Sequence, residues 1–307
     1  MTLIITFILM LSGALASLYM GAADAFDQQI FWILRLPRTI AGIAVGGGLA
    51  VAGAIVQASL GNPLADPFTL GIASAAALGS VIGALVGFAG FYTSGVFAFV
   101  FALTALFSML IWLRHSFRNS TEILLAGLVS GLFFTSLATF VMVISDPAAW
   151  ATNLGWLLGS LATLTEKEAF IALVVVIACS IYGWFHWKVL DLLSVDELMA
   201  ETAGVDIAKY RRNIFILVSL MTAVCVTVAG IIGFVGFIIP HTLRVLGVRS
   251  HRVLIPSAFF AGAGVLLFSD VAARVVARPS ELPVGIVMSL MGAPAFLALM
   301  KKRRSGA

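Results

Sequence analysis

Charge is what this 307-residue chain has least of: Asp, Glu, Lys and Arg together make up 10% of it. A soluble domain averages about 25% charged residues, with roughly half its residues apolar. Here apolar residues reach 61% and the mean hydropathy is +1.11. Polar surface is too scarce to cover a fold in water, so the solvent is lipid. Cysteine is nearly absent too. Cys179 and Cys225 lie far apart inside apolar runs, without metal-ligand spacing, and read as small buried hydrophobes. No Lys or Arg precedes Arg35. The basic n-region of a secretory signal is therefore missing despite Ala14-Leu15-Ala16, and Thr2–Met20 reads as a retained first span. No Gly-rich loop ends in Gly-Lys-Ser/Thr, so the chain has no cradle of its own for nucleotide phosphates. Neither a Ser-His-Asp arrangement nor a metal-ligand cluster can be assembled. The expectation is a chain with no catalytic residues, no metal and no cofactor. The net charge of +4 sits in short basic clusters between apolar runs, which argues against a nucleic-acid partner.

What is present is length in apolar stretches. A bilayer core about 30 Å thick takes roughly 20 apolar residues per helix. Runs of that length predict an all-α, polytopic transmembrane bundle of about ten spans. The first five are approximately Thr2–Met20, Thr39–Leu60, Phe68–Phe88, Val96–Leu113 and Glu122–Ile144. The other five are Phe170–Trp187, Asn213–Ile231, Gly233–Val248, Val253–Val275 and Val284–Met300. No linker interrupts them, so residues 1–307 read as one membrane domain. Arg114, Arg118, Lys188, Lys209, Arg211, Arg212, Arg249, Arg252 and the run Lys301 to Arg304 fall on one side. The other side carries Arg35, Arg38, Lys167, Arg274 and Arg278. Positive residues collect inside, which predicts that both termini are cytoplasmic. Small residues recur every four positions at Gly42 and Gly46, at Gly79, Gly83 and Gly87, and at Gly127 and Gly131. Such stripes let helix backbones approach closely, and packing is the expected role of most of them.

Several stretches are too specific to be lipid-facing filler. Arg35-Leu36-Pro37-Arg38 opens the second span, and Asn62-Pro63-Leu64-Ala65-Asp66-Pro67 follows it. Later come Gly233-Phe234-Val235-Gly236-Phe237-Ile238-Ile239-Pro240-His241, Glu281-Leu282-Pro283-Val284-Gly285 and Gly292-Ala293-Pro294. In this order they resemble the permease subunits of iron–siderophore, haem and cobalamin importers, the FecCD-like family of type II ABC importers. The resemblance runs from about Arg35 to Pro294.

It implies a passive conduit in the bacterial inner membrane. A second copy of the chain, two ATPase subunits that bind ATP and Mg, and a periplasmic or lipid-anchored binding protein are the implied partners. By the same resemblance, Asn62, Leu64, Ser120 and Thr121 match the positions that narrow the cytoplasmic end of the pathway. Arg35, Arg38 and Arg274, joined by Arg278, match the arginines that receive acidic residues of the binding protein. Asp196, Glu197, Leu198, Met199, Ala200 and Gly204 fall in the coupling helix that enters a groove of the ATPase. Family frequency points to an iron chelate as cargo, with cobalamin as the alternative.

Read without the family, the same residues have plainer roles. Ser120 or Thr121 is a helix N-cap, and the arginines are snorkelling side chains at the interface. Asp270 stands one turn before Arg274 and could pair with it. Ser194 and Glu197 have capping-box spacing, with Gly204 as a C-terminal stop. His241 reads as a packed histidine rather than a haem ligand. An ion-coupled secondary transporter is the more remote alternative, and its best intramembrane acid is Asp270.

Overall fold

A computed structural model describes residues 1–21, 28–86, 91–145, 155, 157–162, 164–278 and 280–305. Gly87 and Phe88, at the end of the third expected span, lie outside the described residues. All regular structure among the described residues is helical. In chain order the first six helices are α1 (Thr2–Tyr19), α2 (Leu36–Ser59), α3 (Ile72–Leu85), α4 (Phe91–Trp112), α5 (Ser120–Val143) and α6 (Glu166–Phe185). They are followed by α7 (Trp187–Val195), α8 (Glu197–Thr202), α9 (Ile207–Ala229), α10 (Val235–Val245), α11 (His251–Val275) and α12 (Val284–Ser305). Seven helical stretches are long and apolar enough to cross a membrane, and α3, α10 and α12 are shorter apolar helices. Each expected span coincides with one of these.

Two boundaries depart from the expected ones for identifiable reasons. The second span starts early, with a turn at Gln28–Ile30 and a π-helical stretch at Phe31–Arg35 running straight into α2. Pro37 has no N–H to give the carbonyl four residues back, and its ring crowds that turn; the backbone just before it is widened. The third span does not begin at Phe68. Asp66 caps a 3-10 turn at Pro67–Leu70, Gly71 takes φ 77°, and the α-helix starts at Ile72.

Helix α2 is the axis of the fold, packed on α11, α6, α9 and α10. Nearly every residue from Ala41 to Ser59 is buried, and most are Ala, Gly or Val. Small side chains bring the helix axes close. A Cβ on Gly46 would sit 2.4 Å from the Gly262 carbonyl oxygen, and one on Gly262 would sit 2.3 Å from that of Gly46. Packing is thus the role of that stripe, as van der Waals contact is what draws helices together in lipid. Gly131 differs, since it borders a cavity. From Arg38 to Ser59, α2 rises about 32 Å at 1.5 Å per residue, which matches the hydrocarbon thickness. The polar clusters at its two ends therefore lie at opposite faces of the bundle.

Candidate translocation and coupling sites

The loop after α2 is built from local side-chain turns. Asn62 accepts the Leu64 amide on Oδ1 at 2.9 Å, and its carbonyl accepts the Ala65 amide at 3.1 Å. Asp66 accepts the Phe68 amide at 2.8 Å. Burial pushes the Asp66 carboxyl up to about 6, against the opposing pull of that amide. Leu64 is left 58% exposed. With Phe68, Leu132, Phe234 and Phe237 it lines a predominantly apolar cavity of about 540 Å³ between this loop, α5 and the start of α10. Asn62, Ser120 and Thr121 do not line that cavity.

Phe234 is the one non-glycine residue with positive φ among the described residues, at 71°. Such a conformation is costly for a bulky side chain, and strain of this kind concentrates at functional positions. A Cβ on Gly292 would come within 2.8 Å of the Phe234 side chain, so a glycine there makes the room. Both residues belong to motifs quoted above, yet periodicity gives no hint that Phe234 is the strained one.

The N-cap of α5 is Asn119, not Ser120 or Thr121. Its Oδ1 accepts the amides of Thr121 at 3.0 Å and Glu122 at 3.4 Å, and its Nδ2 donates to Glu122 at 2.9 Å. Asparagine is among the best capping residues, and with it in place neither hydroxyl is needed for the cap. Ser120 is half-buried and Thr121 exposed.

At the other end of α2 the arginines face inward. Arg35 is 6% exposed and donates to the carbonyls of Leu18 and Tyr19, both at 3.0 Å. Arg274, also buried, donates to the Ser17 carbonyl at 3.2 Å and the Ser17 hydroxyl at 3.0 Å. The more exposed Arg278 donates to the Gly21 carbonyl. The last carbonyls of α1 have no intrahelical donor and carry the negative end of its dipole. Arg35 and Arg274 satisfy them, while Arg278 reaches the carbonyl of Gly21 just past the helix.

Arg38 grips Asp270 through Nε and Nη2, at 2.8–3.0 Å, and Glu281 through Nη1 at 2.8 Å. Asp270, fully buried, also meets Arg274 at 3.1 Å. The expected Asp270–Arg274 pair is therefore present, with Arg38 as a second partner. Arg35, Arg38, Arg274 and Glu281 surround a cavity of about 320 Å³. An acid clamped by two guanidiniums is a poor carrier of coupling ions.

The segment expected as a coupling helix is short and differently capped. Asp196, not Ser194, is the N-cap, accepting the Leu198 amide at 3.2 Å. Ser194 lies within α7, where its hydroxyl donates to the Asp191 carbonyl at 2.8 Å. Gly204 closes the helix at φ 84°. Ala200 is fully buried against Leu193 and Ile207. Leu198 and Met199 on the outer side are 64% and 53% exposed.

The charged ends of α8 hold it to the bundle. Glu197 pairs with the buried Arg211, and Glu201 with Arg118. Arg211 also donates to the Ser59 carbonyl at 2.9 Å and to the Arg118 carbonyl. Nearby, Arg244 donates to the Gln57 side chain and to the Ala54 carbonyl at 3.3 Å. Asp191 accepts from Ser250 at 2.8 Å, from the His251 amide at 2.7 Å and from its ring at 2.6 Å. Gln57, Asp191, Arg244 and Ser250 were not singled out from the sequence. Gln57 and Arg244 carry the usable signal, because polar groups inside apolar runs are costly and therefore placed for a reason. His241 is buried, with its ring 5.9 Å from that of Phe296. Cys179 and Cys225 are both buried thiols.

Comparison with known proteins agrees with this geometry. The chain is 33% identical to the vitamin B12 import system permease protein BtuC of Klebsiella pneumoniae subsp. pneumoniae, over 92% of this chain and 85% of the relative. It is 32% identical to BtuC of Escherichia coli O9:H4, over 97% and 94%. A solved structure, described as an inward-facing conformation of an ABC transporter of metal-chelate type, superimposes with a TM-score of 0.89. It shares 31% identity, and 98% of each chain is covered. PsaBC from Streptococcus pneumoniae shares the fold at a TM-score of 0.59 and 19% identity, over 85% of this chain and 89% of that one. The FecCD transport family matches residues 1–302, and with the helix order, the proline-bounded loop and the short anchored helix all in place, the chain belongs to that family as an inner-membrane permease of an ABC importer.

Proposed function

We propose that two copies of this chain form the membrane pathway of an importer that carries a cobalamin-type corrinoid, driven by two ATPase subunits below and loaded by a binding protein above. The similarity to vitamin B12 permeases over nearly the whole chain carries the choice of cargo. It displaces the iron chelate suggested by family frequency. The protein works by alternating access, a population shift between inward- and outward-closed states. In this reading the whole chain is one permease domain, crossing the membrane about ten times with both termini in the cytoplasm.

Leu198 and Met199 form the contact with the ATPase, because they are exposed apolar side chains on a helix whose other face is anchored. Asn62, Leu64, Ser120 and Thr121 narrow the cytoplasmic end of the pathway; Leu64 in the wall of the apolar cavity supports this. At the periplasmic face, Arg38 and Arg278 are the arginines a binding protein can reach. Arg35 and Arg274 act from beneath by fixing the end of α1. An incoming carboxylate would compete with Glu281 for Arg38, and arginine's planar fork suits such an exchange.

The test is uptake into proteoliposomes holding this chain, its ATPase and its binding protein. ATP-dependent accumulation of cyanocobalamin, with little ferric hydroxamate or haemin, is expected. Preference for an iron chelate overturns the cargo. Uptake that collapses with an uncoupler while ATP persists overturns the ATPase drive.

A further inference from the structure

Arg211 sits where three segments meet that have no reason of sequence to be together. Its side chain is 1% exposed. A guanidinium taken out of water needs its donors satisfied, and each partner here belongs to a different part of the machine. Nε donates to the Ser59 carbonyl, the last residue of α2 before the loop that carries Asn62 and Leu64. Nη1 donates to the Arg118 carbonyl, one residue ahead of the Asn119 cap and two ahead of Ser120. Nη2 pairs with Glu197, the first residue of α8. The planar fork holds these directions in fixed relation, which a single ammonium cannot do.

We infer that Arg211 is a positioning residue that transmits displacement of α8 to both gate segments at once. The inference rests on the reading of α8 as the ATPase contact and of the two loops as gates. A push on α8 moves Glu197, and the guanidinium carries the movement to two backbone carbonyls rather than to flexible side chains. The Arg118–Glu201 pair runs alongside. Because it is largely exposed, with Arg118 at 72%, it holds the helix weakly. The two gates then move together because they share one rigid cation, with no path of packed side chains needed between them.

The test uses the complete transporter, reconstituted with its own ATPase, in a background lacking Cys179 and Cys225. A cysteine replacing Thr121 reports crosslinking between the two copies, and ATPase association is measured beside it. In the parent, nucleotide is expected to change the crosslinking rate by about tenfold, the ordinary size of a coupling between sites. Arg211→Lys keeps the charge but loses the fork, and Glu197→Gln takes the charge from one arm and so weakens it while leaving both carbonyl bonds. Each is expected to reduce the nucleotide response to within about twofold of none while the ATPase still binds. Glu201→Gln is expected to keep the parental response.

Should Arg211→Lys fail to fold, Glu197→Gln decides, since Glu197 is half-exposed and the glutamine amide still offers Arg211 an acceptor. A parental nucleotide response in the variants overturns the inference, as does loss of ATPase binding in Glu197→Gln, which would assign that residue to docking alone. A parent with no nucleotide response overturns the reading of Thr121 as a gate residue instead, and the inference falls with it.

Discussion

The two ends of α2 each bury a cluster of arginines, and they use them in opposite ways. At the Asp270 end the acceptors are a buried carboxylate and the terminal carbonyls of α1. Apart from Glu281 and the Gly21 carbonyl, every acceptor belongs to a long helix or its end, so the cations lock helix to helix. At the Arg211 end the acceptors are a carbonyl at the start of one loop, a carbonyl at the end of another and a carboxylate on a two-turn helix. The same chemistry there joins short segments that can shift. A buried guanidinium always requires several acceptors; what those acceptors are attached to determines whether it acts as a rivet or a linkage.

The sharpest way to break this contrast is to remove the charge at the rivet. Asp270→Ala leaves Arg274 buried without its carboxylate and Arg38 with only Glu281. It should cost about 3–5 kcal/mol, the usual result of stripping one partner from a buried pair. Thermal unfolding in detergent measures this, and a loss below about 1 kcal/mol would mean that water already reaches the cluster. Arg35→Met comes next. It deletes two bonds from a cation to carbonyls at the end of α1 and should cost about 2 kcal/mol. Its signature is faster amide exchange confined to the last turn of α1.

Smaller still is Arg118→Ala, which removes only the exposed pair with Glu201. A change of at most about 1 kcal/mol is expected, shrinking further with added salt. A larger loss would show that the Arg211 end is as rigid as the Asp270 end. Leu198→Asp with Met199→Asp should leave stability within about 0.5 kcal/mol, since both side chains are exposed. Co-purification of the ATPase should nonetheless be abolished. Retained co-purification would remove α8 from the coupling role and leave Arg211 a second rivet.

Much of this was legible in the residues. A chain with 10% charge and apolar runs of about 20 residues has to be a helical membrane bundle, because only helices satisfy their backbone groups within one lipid-embedded segment. The apolar helices, the close-packed glycines and the short helix closed by Gly204 were all visible as periodicity or punctuation. The caps were less so. Asn119 and Asp196 took the positions expected of Ser120, Thr121 and Ser194, because several capping residues stand side by side and only the folded backbone selects among them.

Tertiary structure alone decided the rest. In their most apolar 18-residue windows the stretches containing α2 and α5 have the same mean hydropathy, 2.0, yet 89% of one window and 22% of the other is buried in the protein. Lipid and protein interior are equally apolar, so composition identifies a span without saying which neighbour it faces. The arginines follow the same logic. Arg35, Arg38, Arg211 and Arg274 were conspicuous as cations beside apolar runs. Their partners, Leu18, Asp270, Ser59 and Ser17, lie 17, 232, 152 and 257 residues away along the chain. Three of those separations are closed only when the helices pack, and no local pattern in the chain records them.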